Sequence, residues 1–174
     1  NYGGPTLGIM AVKNKFMRKI PGRIIGRTVD KKGREGFVLT LQAREQHIRR
    51  ENATSNICTN QSLLALRSLI YMSSIGKKGI IKIANLCINK THYLINEIDK
   101  INGFTVPFKK NILFEFIVKS KFNVDTLIQL AVKKNIYFTK TIYKNEIYIL
   151  IAVTEKRTIN DINKLIIFLK NIND

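Results

Sequence analysis

The side chains best suited to chemistry crowd into one polar run. Residues 41–61 read Leu-Gln-Ala-Arg-Glu-Gln-His-Ile-Arg-Arg-Glu-Asn-Ala-Thr-Ser-Asn-Ile-Cys-Thr-Asn-Gln. Arg44, His47, Arg49 and Arg50 make a basic cluster within it. A guanidinium grips a carboxylate or phosphate with two parallel donors, and an imidazole changes charge near neutral pH. Glu45 and Glu51 share the run and can instead absorb two of those charges as ordinary surface pairs. Just beyond, Thr54, Ser55, Asn56 and Thr59 bring small polar groups to the start of the helix expected after Asn60. They suit that helix end either as caps or as part of an anion cradle built on its free N–H groups. Gly3-Gly4, ahead of Pro5, permits close backbone approach to a ligand and equally suits a plain turn.

Other reactive groups offer less. Two cysteines, Cys58 and Cys87, are too few for a disulfide framework. Cys58 reads either as a redox-sensitive thiol or as a buried structural one, and Cys87, on an apolar helix face, reads as core. His47, His92, Cys58 and Cys87 show no zinc-ligand spacing, so no metal site is expected. A reducing cytoplasm is the expected compartment. No apolar run reaches the ~18 residues of a membrane span, and no charged, apolar, small-residue leader is visible at the start. The opening Asn1-Tyr2-Gly3-Gly4-Pro5 reads like the middle of a longer protein.

The formal net charge of +18 invites a nucleic-acid partner. Composition supplies another cause. The chain holds 28 Ile, 21 Lys and 17 Asn, all drawn from A/T-rich codons, and such a bias raises Lys without selecting a partner. The basic residues are scattered rather than gathered with aromatics into a stacking platform. No specific nucleic-acid binding is therefore expected, despite the field this charge creates.

The elements that must position these residues can be read from periodicity. A glycine turn feeds a short apolar strand, Leu7 to Val12, then a short helix, Lys13 to Ile20, stopped by Pro21-Gly22. Residues 24–29 and 36–41 read as strands joined at Asp30-Lys31-Lys32-Gly33. Helical spacing marks Leu63, Leu66, Leu69 and Ile70, closed near Gly76, and then Ile80 to Ile101, closed by Asn102-Gly103. Past Pro107, Ile112, Phe114, Phe116 and Val118 alternate along one strand face. Asn123 can cap a helix carrying Val124, Leu127, Ile128 and Ala131. Strands at Tyr137 to Tyr143 and Glu146 to Val153 pair, and Thr158 with Asp161 starts a helix burying Ile162, Leu165, Ile166 and Leu169. Residues 104–174 thus read as a compact α/β layer on an antiparallel sheet. Residues 1–60 read as the end of a different domain, with bridging helices over 61–103.

Two stretches carry a family resemblance: Pro21-Gly22-Arg23-Ile24-Ile25-Gly26 and the polar run 41–61. The second resembles the signature of the P-protein of the glycine cleavage system, in the half called subunit 1 in two-subunit forms. Gly3-Gly4-Pro5 and the run Ala152 to Thr158 agree with it, and residues 103–146 agree only loosely. The resemblance implies a fold type I pyridoxal-phosphate enzyme of the α/β class. Residues 1–60 would end its large domain and 104–174 would be its small C-terminal domain. It implies decarboxylation of glycine, with the aminomethyl group passed to the lipoyl arm of H-protein. It also implies that pyridoxal phosphate is held as a Schiff base by a lysine of subunit 2, just ahead of a glycine-rich turn. Gly3-Gly4 is similar to the degenerate partner of that turn, while Lys13 and Lys15 follow it on the wrong side. Subunit 2, H-protein and the other glycine cleavage proteins are then the implied partners. The implied contribution of this chain to a shared site is Arg44, His47, Arg49 and Arg50, with Gly3, Gly4, Thr54, Ser55, Asn56 and Thr59 near the cofactor. A purely structural subunit and a basic nucleic-acid-binding module remain the alternatives.

Overall fold

A computed structural model describes residues 4–20, 22–41, 46–53 and 61–172. They fall into two units. One is Thr6–Leu66, and the other runs from Arg67 onward and includes Gly4 and Pro5.

The second unit is organised by α2, Ser62–Ile98. Its apolar residues repeat at three and four, so Cys87, Thr91, Leu94, Ile95 and Ile98 share one buried stripe. Helical geometry breaks at Gly76, whose φ of 63° and ψ of 175° suit a residue without Cβ. The predicted stop near Gly76 is thus a kink between two helical segments. After Ile98 the chain turns through Gly103, at φ 88°, into a four-stranded antiparallel sheet. Its order is β3 (Phe104–Thr105), β4 (Glu115–Ser120), β6 (Glu146–Ala152), β5 (Thr139–Tyr143). The β5–β6 hairpin turns on Lys144 and Asn145, both at positive φ, the conformation a two-residue type I′ turn requires.

Two helices complete the layer. Asn123 Oδ1 accepts the Thr126 N–H at 3.0 Å and caps α3, Val124–Lys133. Thr158 and Asp161 form a reciprocal capping box at the start of α4, Ile159–Lys170. Thr158 Oγ1 accepts from Asp161 N at 3.1 Å, and Asp161 Oδ2 accepts from Thr158 N at 2.9 Å. One core joins α2, the sheet, α3 and α4. Leu94, Ile98, Val118, Leu127, Ile149 and Leu169 are almost completely enclosed in it. Each such side chain contributes about 1.5–3 kcal/mol relative to exposure. The order strand, helix, two strands, helix agrees with the sequence reading, as do both caps and the buried residues of α4. The two-residue β3 has no sequence signal. β4 starts at Glu115, later than the alternation at Ile112 implies, because the chain bends at Leu113 and Phe114 before the ladder begins.

In the unit Thr6–Leu66, β1 (Ile24–Val29) and β2 (Glu35–Thr40) form an antiparallel hairpin. Its turn is tied by Asp30, whose Oδ1 accepts from Lys32 N at 2.8 Å and Arg34 N at 2.9 Å. Arg34 Nε reaches Asp30 Oδ2 at 2.8 Å, and these contacts hold the Asp30 carboxyl below its usual range. The helix expected at Lys13–Ile20 is a 3-10 turn, Asn14–Lys19. The strand expected at Leu7–Val12 is not formed, and Ile9 is 87% exposed. An extended segment becomes a strand only by pairing, and no neighbour among the described residues offers it a ladder.

Candidate functional site

The basic cluster lies on a short feature of the Thr6–Leu66 unit. His47 and Arg49 sit in α1, the four-residue helix Gln46–Arg49. Arg50 follows in a 3-10 turn, Arg50–Asn52, with φ 49°. All three side chains are exposed. The positive φ at Arg50 is a conformation that non-glycine residues rarely adopt. It lets the chain reverse directly after the helix, where the Ala53 N–H returns to the Arg50 carbonyl at 3.2 Å. His47, Arg49 and Arg50 are therefore each exposed to solvent within one short stretch. Gly3, Arg44, Thr54, Ser55, Asn56, Cys58 and Thr59 lie outside the described residues.

Gly4 belongs to the other unit. Its φ is +104°, and a Cβ there would stand 3.2 Å from Tyr71 Cε1. Both the backbone conformation and the nearness of that ring call for glycine. The close approach that the glycine pair permits is thus made, at Gly4, to an aromatic side chain of this same chain.

Around Tyr71 the structure gathers residues that sequence reasoning passed over. A largely apolar cleft of about 150 Å³ is lined by Tyr71, Ile75, Ile80, Ile83, Cys87 and Phe114, among others. Cys87 Sγ lies 3.7 Å from Glu155 Oε2. Burial, more than any neighbour, pushes the Cys87 thiol up, with the Glu155 carboxylate adding to it. The same two causes, burial first and then Glu155, raise the Tyr71 phenol. Lys90 Nζ donates to the carbonyls of Glu155 at 2.7 Å and Arg157 at 2.5 Å. Thr91 Oγ1, fully buried, donates to the Val153 carbonyl at 3.3 Å. One face of α2 thereby pins residues 153–157, most of the stretch Ala152 to Thr158 that carries part of the resemblance. One turn before Tyr71, Ser68 Oγ is buried with no hydrogen-bond partner among the described residues. The signal for this cluster was present in the α2 spacing, where Ser68, Tyr71 and Ile75 fall at i, i+3 and i+7. It was obscured because Tyr, Cys and Lys at helical spacing read as core and surface.

A covalent pyridoxal phosphate requires a lysine whose amine can be neutral, and burial among apolar groups is what lowers an ammonium. Every lysine of the chain is described and none is buried. Lys90 alone is half-buried, and its ammonium is committed to two carbonyls. Among the described residues no group of three or more His, Cys, Asp or Glu could hold a metal ion. No described helix is long and apolar enough to cross a membrane.

Comparison with known proteins places this geometry. The sequence matches the family described as Glycine cleavage system P-protein over residues 1–169. It is 48% identical over 173 residues to the "Probable glycine dehydrogenase (decarboxylating) subunit 1" of Chloroherpeton thalassium, a match covering 99% of this chain and 39% of that protein. The protein of the same name from Dictyoglomus turgidum is 44% identical over 176 residues, covering 98% and 39%. The chain thus spans about two fifths of the length of these curated relatives. A crystal structure of glycine decarboxylase (P-protein) of the glycine cleavage system, in inhibitor-bound form, aligns with a TM-score of 0.81 at 33% identity, covering 93% of this chain and 38% of that one. A tryptophan decarboxylase from Catharanthus roseus, in complex with L-tryptophan, shares the fold alone, with a TM-score of 0.55 at 14% identity over 75% of this chain and 31% of that one. The fold is that of the fold type I pyridoxal-phosphate enzymes, in its α/β form with antiparallel sheets. By its match over residues 1–169 and its likeness to a solved member, this chain belongs to the P-protein family of the glycine cleavage system.

Proposed function

We propose that this chain works as part of subunit 1 of a glycine decarboxylase. The reaction is the pyridoxal-phosphate-dependent decarboxylation of glycine, with transfer of the aminomethyl group to the lipoyl arm of H-protein. The observation that carries this reading is the family match over residues 1–169, with a subunit 1 relative at 48% identity. Pyridoxal phosphate, when bound, supplies an electron sink for the decarboxylation. In this reading a lysine of subunit 2 holds it, in a site both subunits line. The exposure of the lysines here and the commitment of Lys90 to carbonyls support that assignment.

The part played by this chain is electrostatic and positional. His47, Arg49 and Arg50 present donors within one short stretch, and Arg44 joins them in sequence. Facing subunit 2, they would orient a carboxylate or phosphate and exclude water from it, which strengthens each charged contact. Thr54, Ser55, Asn56 and Thr59 would line the cofactor side of the same interface. In this reading residues 1–60 complete a large domain, 61–103 bridge, and 104–174 form the small domain.

Glycine–CO2 exchange by the two-subunit enzyme tests the proposal. His47→Ala and Arg49→Ala should each lower the exchange rate by about 10² if they stabilise a charged group. Borohydride reduction should fix the cofactor on subunit 2 and leave this chain unlabelled. Wild-type exchange with both substitutions present would leave only the structural-subunit reading. A stoichiometric, site-specific lysine adduct on this chain would overturn the shared-site assignment.

A further inference from the structure

Away from the cleft at Tyr71, α3 and α4 leave a second depression of about 500 Å³ between their C-terminal halves. Its apolar lining includes Leu130, Ile167 and Ile172, and its rim carries Lys133, Lys134 and Lys164. Among the described residues no carboxylate lines it. Leu130 is 39% exposed and Ile167 is 56% exposed. None of the three lysines forms an ion pair among the described residues. The nearest acidic group along α4 is Asp161. It feels the Lys164 charge, but its carboxylate is already held by the Thr158 N–H. Lysines near helix C-termini complement the helix dipole. That accounts for Lys133 and Lys134, but it does not account for apolar side chains standing open between cations.

We infer that this groove docks an acidic amphipathic helix of a protein partner. The apolar floor needs an apolar stripe, and the unpaired lysines need carboxylates on either side of it. From Lys164 to Lys170, α4 offers about 9 Å of groove at 1.5 Å per residue, a little under two helical turns, and Asn171 and Ile172 extend the lining past the helix end. That length seats side chains at i, i+3, i+4 and i+7 of a partner helix. Leu130 and Ile167 in its lining stay open to solvent. A small ligand or acyl chain there would stay largely wet, whereas small-molecule sites enclose about 70–90% of their ligand. The inference stands on the groove and is independent of the decarboxylase reading.

Fluorescence anisotropy on the full chain tests it. The probe is a labelled four-turn peptide with Leu at i, i+3, i+4 and i+7 and Glu on its other faces. The control is a peptide of identical composition reordered so that Leu is spread around the helix. The patterned peptide should bind at least about tenfold more tightly than the control, a difference of about 1.4 kcal/mol. Lys133→Glu with Lys164→Glu should abolish that preference. Lys77→Glu with Lys82→Glu, the same charge change on α2, should keep it. Without any substitution, hydrogen exchange should show added protection in residues 130–134 and 164–172 when the patterned peptide binds. Equal binding of both peptides, an equal loss from the α2 pair, or protection elsewhere would overturn the proposal. So would groove-dependent binding of dodecanoate or of phosphatidylglycerol vesicles in place of the peptide, since the occupant would then be a lipid.

Discussion

The two ends of this chain use the same kinds of residue to opposite effect. Between Cys87 and Leu169 the Ile, Leu, Val and Phe side chains close into one core. Among the described residues 6–66 only Gly22 is buried, while Phe37 is 72% exposed and Val29 62%. Ile, Leu, Val and Phe are denser in the later region, and layering does the rest. The later region has a sheet with helices packed on it, so apolar faces have something to meet. The earlier one has a two-stranded hairpin and short turns, and two strands alone cannot enclose a face. The lesson is that hydrophobicity sets what must be covered, and topology decides whether the chain covers it with its own residues.

Hydrogen exchange on the isolated chain gives the sharpest contrast. Amides at 116–118 and 149–151 should exchange only through global opening, with protection of about 10³ or more. Amides of β1 and β2 should be near the unprotected limit. Adding subunit 2 and the rest of a subunit 1 protein should slow the hairpin amides if its exposed side chains are an unmet interface. Hairpin amides as slow as those of β6 in the isolated chain would break the comparison.

Truncation should separate the regions next. Leu94→Ala, at a site 1% exposed, should cost about 2–5 kcal/mol in urea unfolding. Phe37→Ala removes a larger side chain that is mostly in water and should stay within about 0.5 kcal/mol. Equal losses would mean the hairpin carries burial that the structure does not show.

How much of this was legible in sequence follows the same division. Asn123, Thr158 and Asp161 announce their helices because capping is local chemistry, satisfied within one turn of chain. The α2 stripe is legible because a period near 3.6 needs only its own helix. Leu7–Val12 misleads because an apolar run carries no record of whether a partner strand is at hand. Lys144-Asn145 carries the turn but not the Asn-Gly signature that would have marked it. For the candidate site, the basic cluster is legible as charge. The grouping of Tyr71, Cys87, Lys90 and Glu155 is not, because Glu155 is distant in sequence and meets α2 only after the sheet has formed.

A smaller effect tests whether local caps support only the later region. Thr158→Ala should cost about 1 kcal/mol, since one capping acceptor is lost. The charge should be felt least. Backbone and hydroxyl contacts with Thr158 lower Asp161, and Lys119 first and Tyr148 second lower Glu146. Lys109 lowers Asp99. Folded-state values below the unfolded ones mean stability that is complete above the unfolded carboxylate range and is lost as pH falls through the folded values. The unfolding midpoint of the later region should therefore be flat from pH 7 to about 5 and fall below about pH 4. A midpoint that rises on acidification would reverse the sign assigned to these contacts.

Cys87 gives the molecule an internal clock. Its sulfur is enclosed at 3% exposure, and burial keeps the thiol protonated. Alkylating reagents attack thiolate that they can reach. Cys87 should therefore stay unmodified until the core opens, and mass spectrometry of the peptide carrying it would time that opening molecule by molecule. A partner that only clothes the Thr6–Leu66 unit should leave the tick of that clock unchanged, and one that braces the core should slow it.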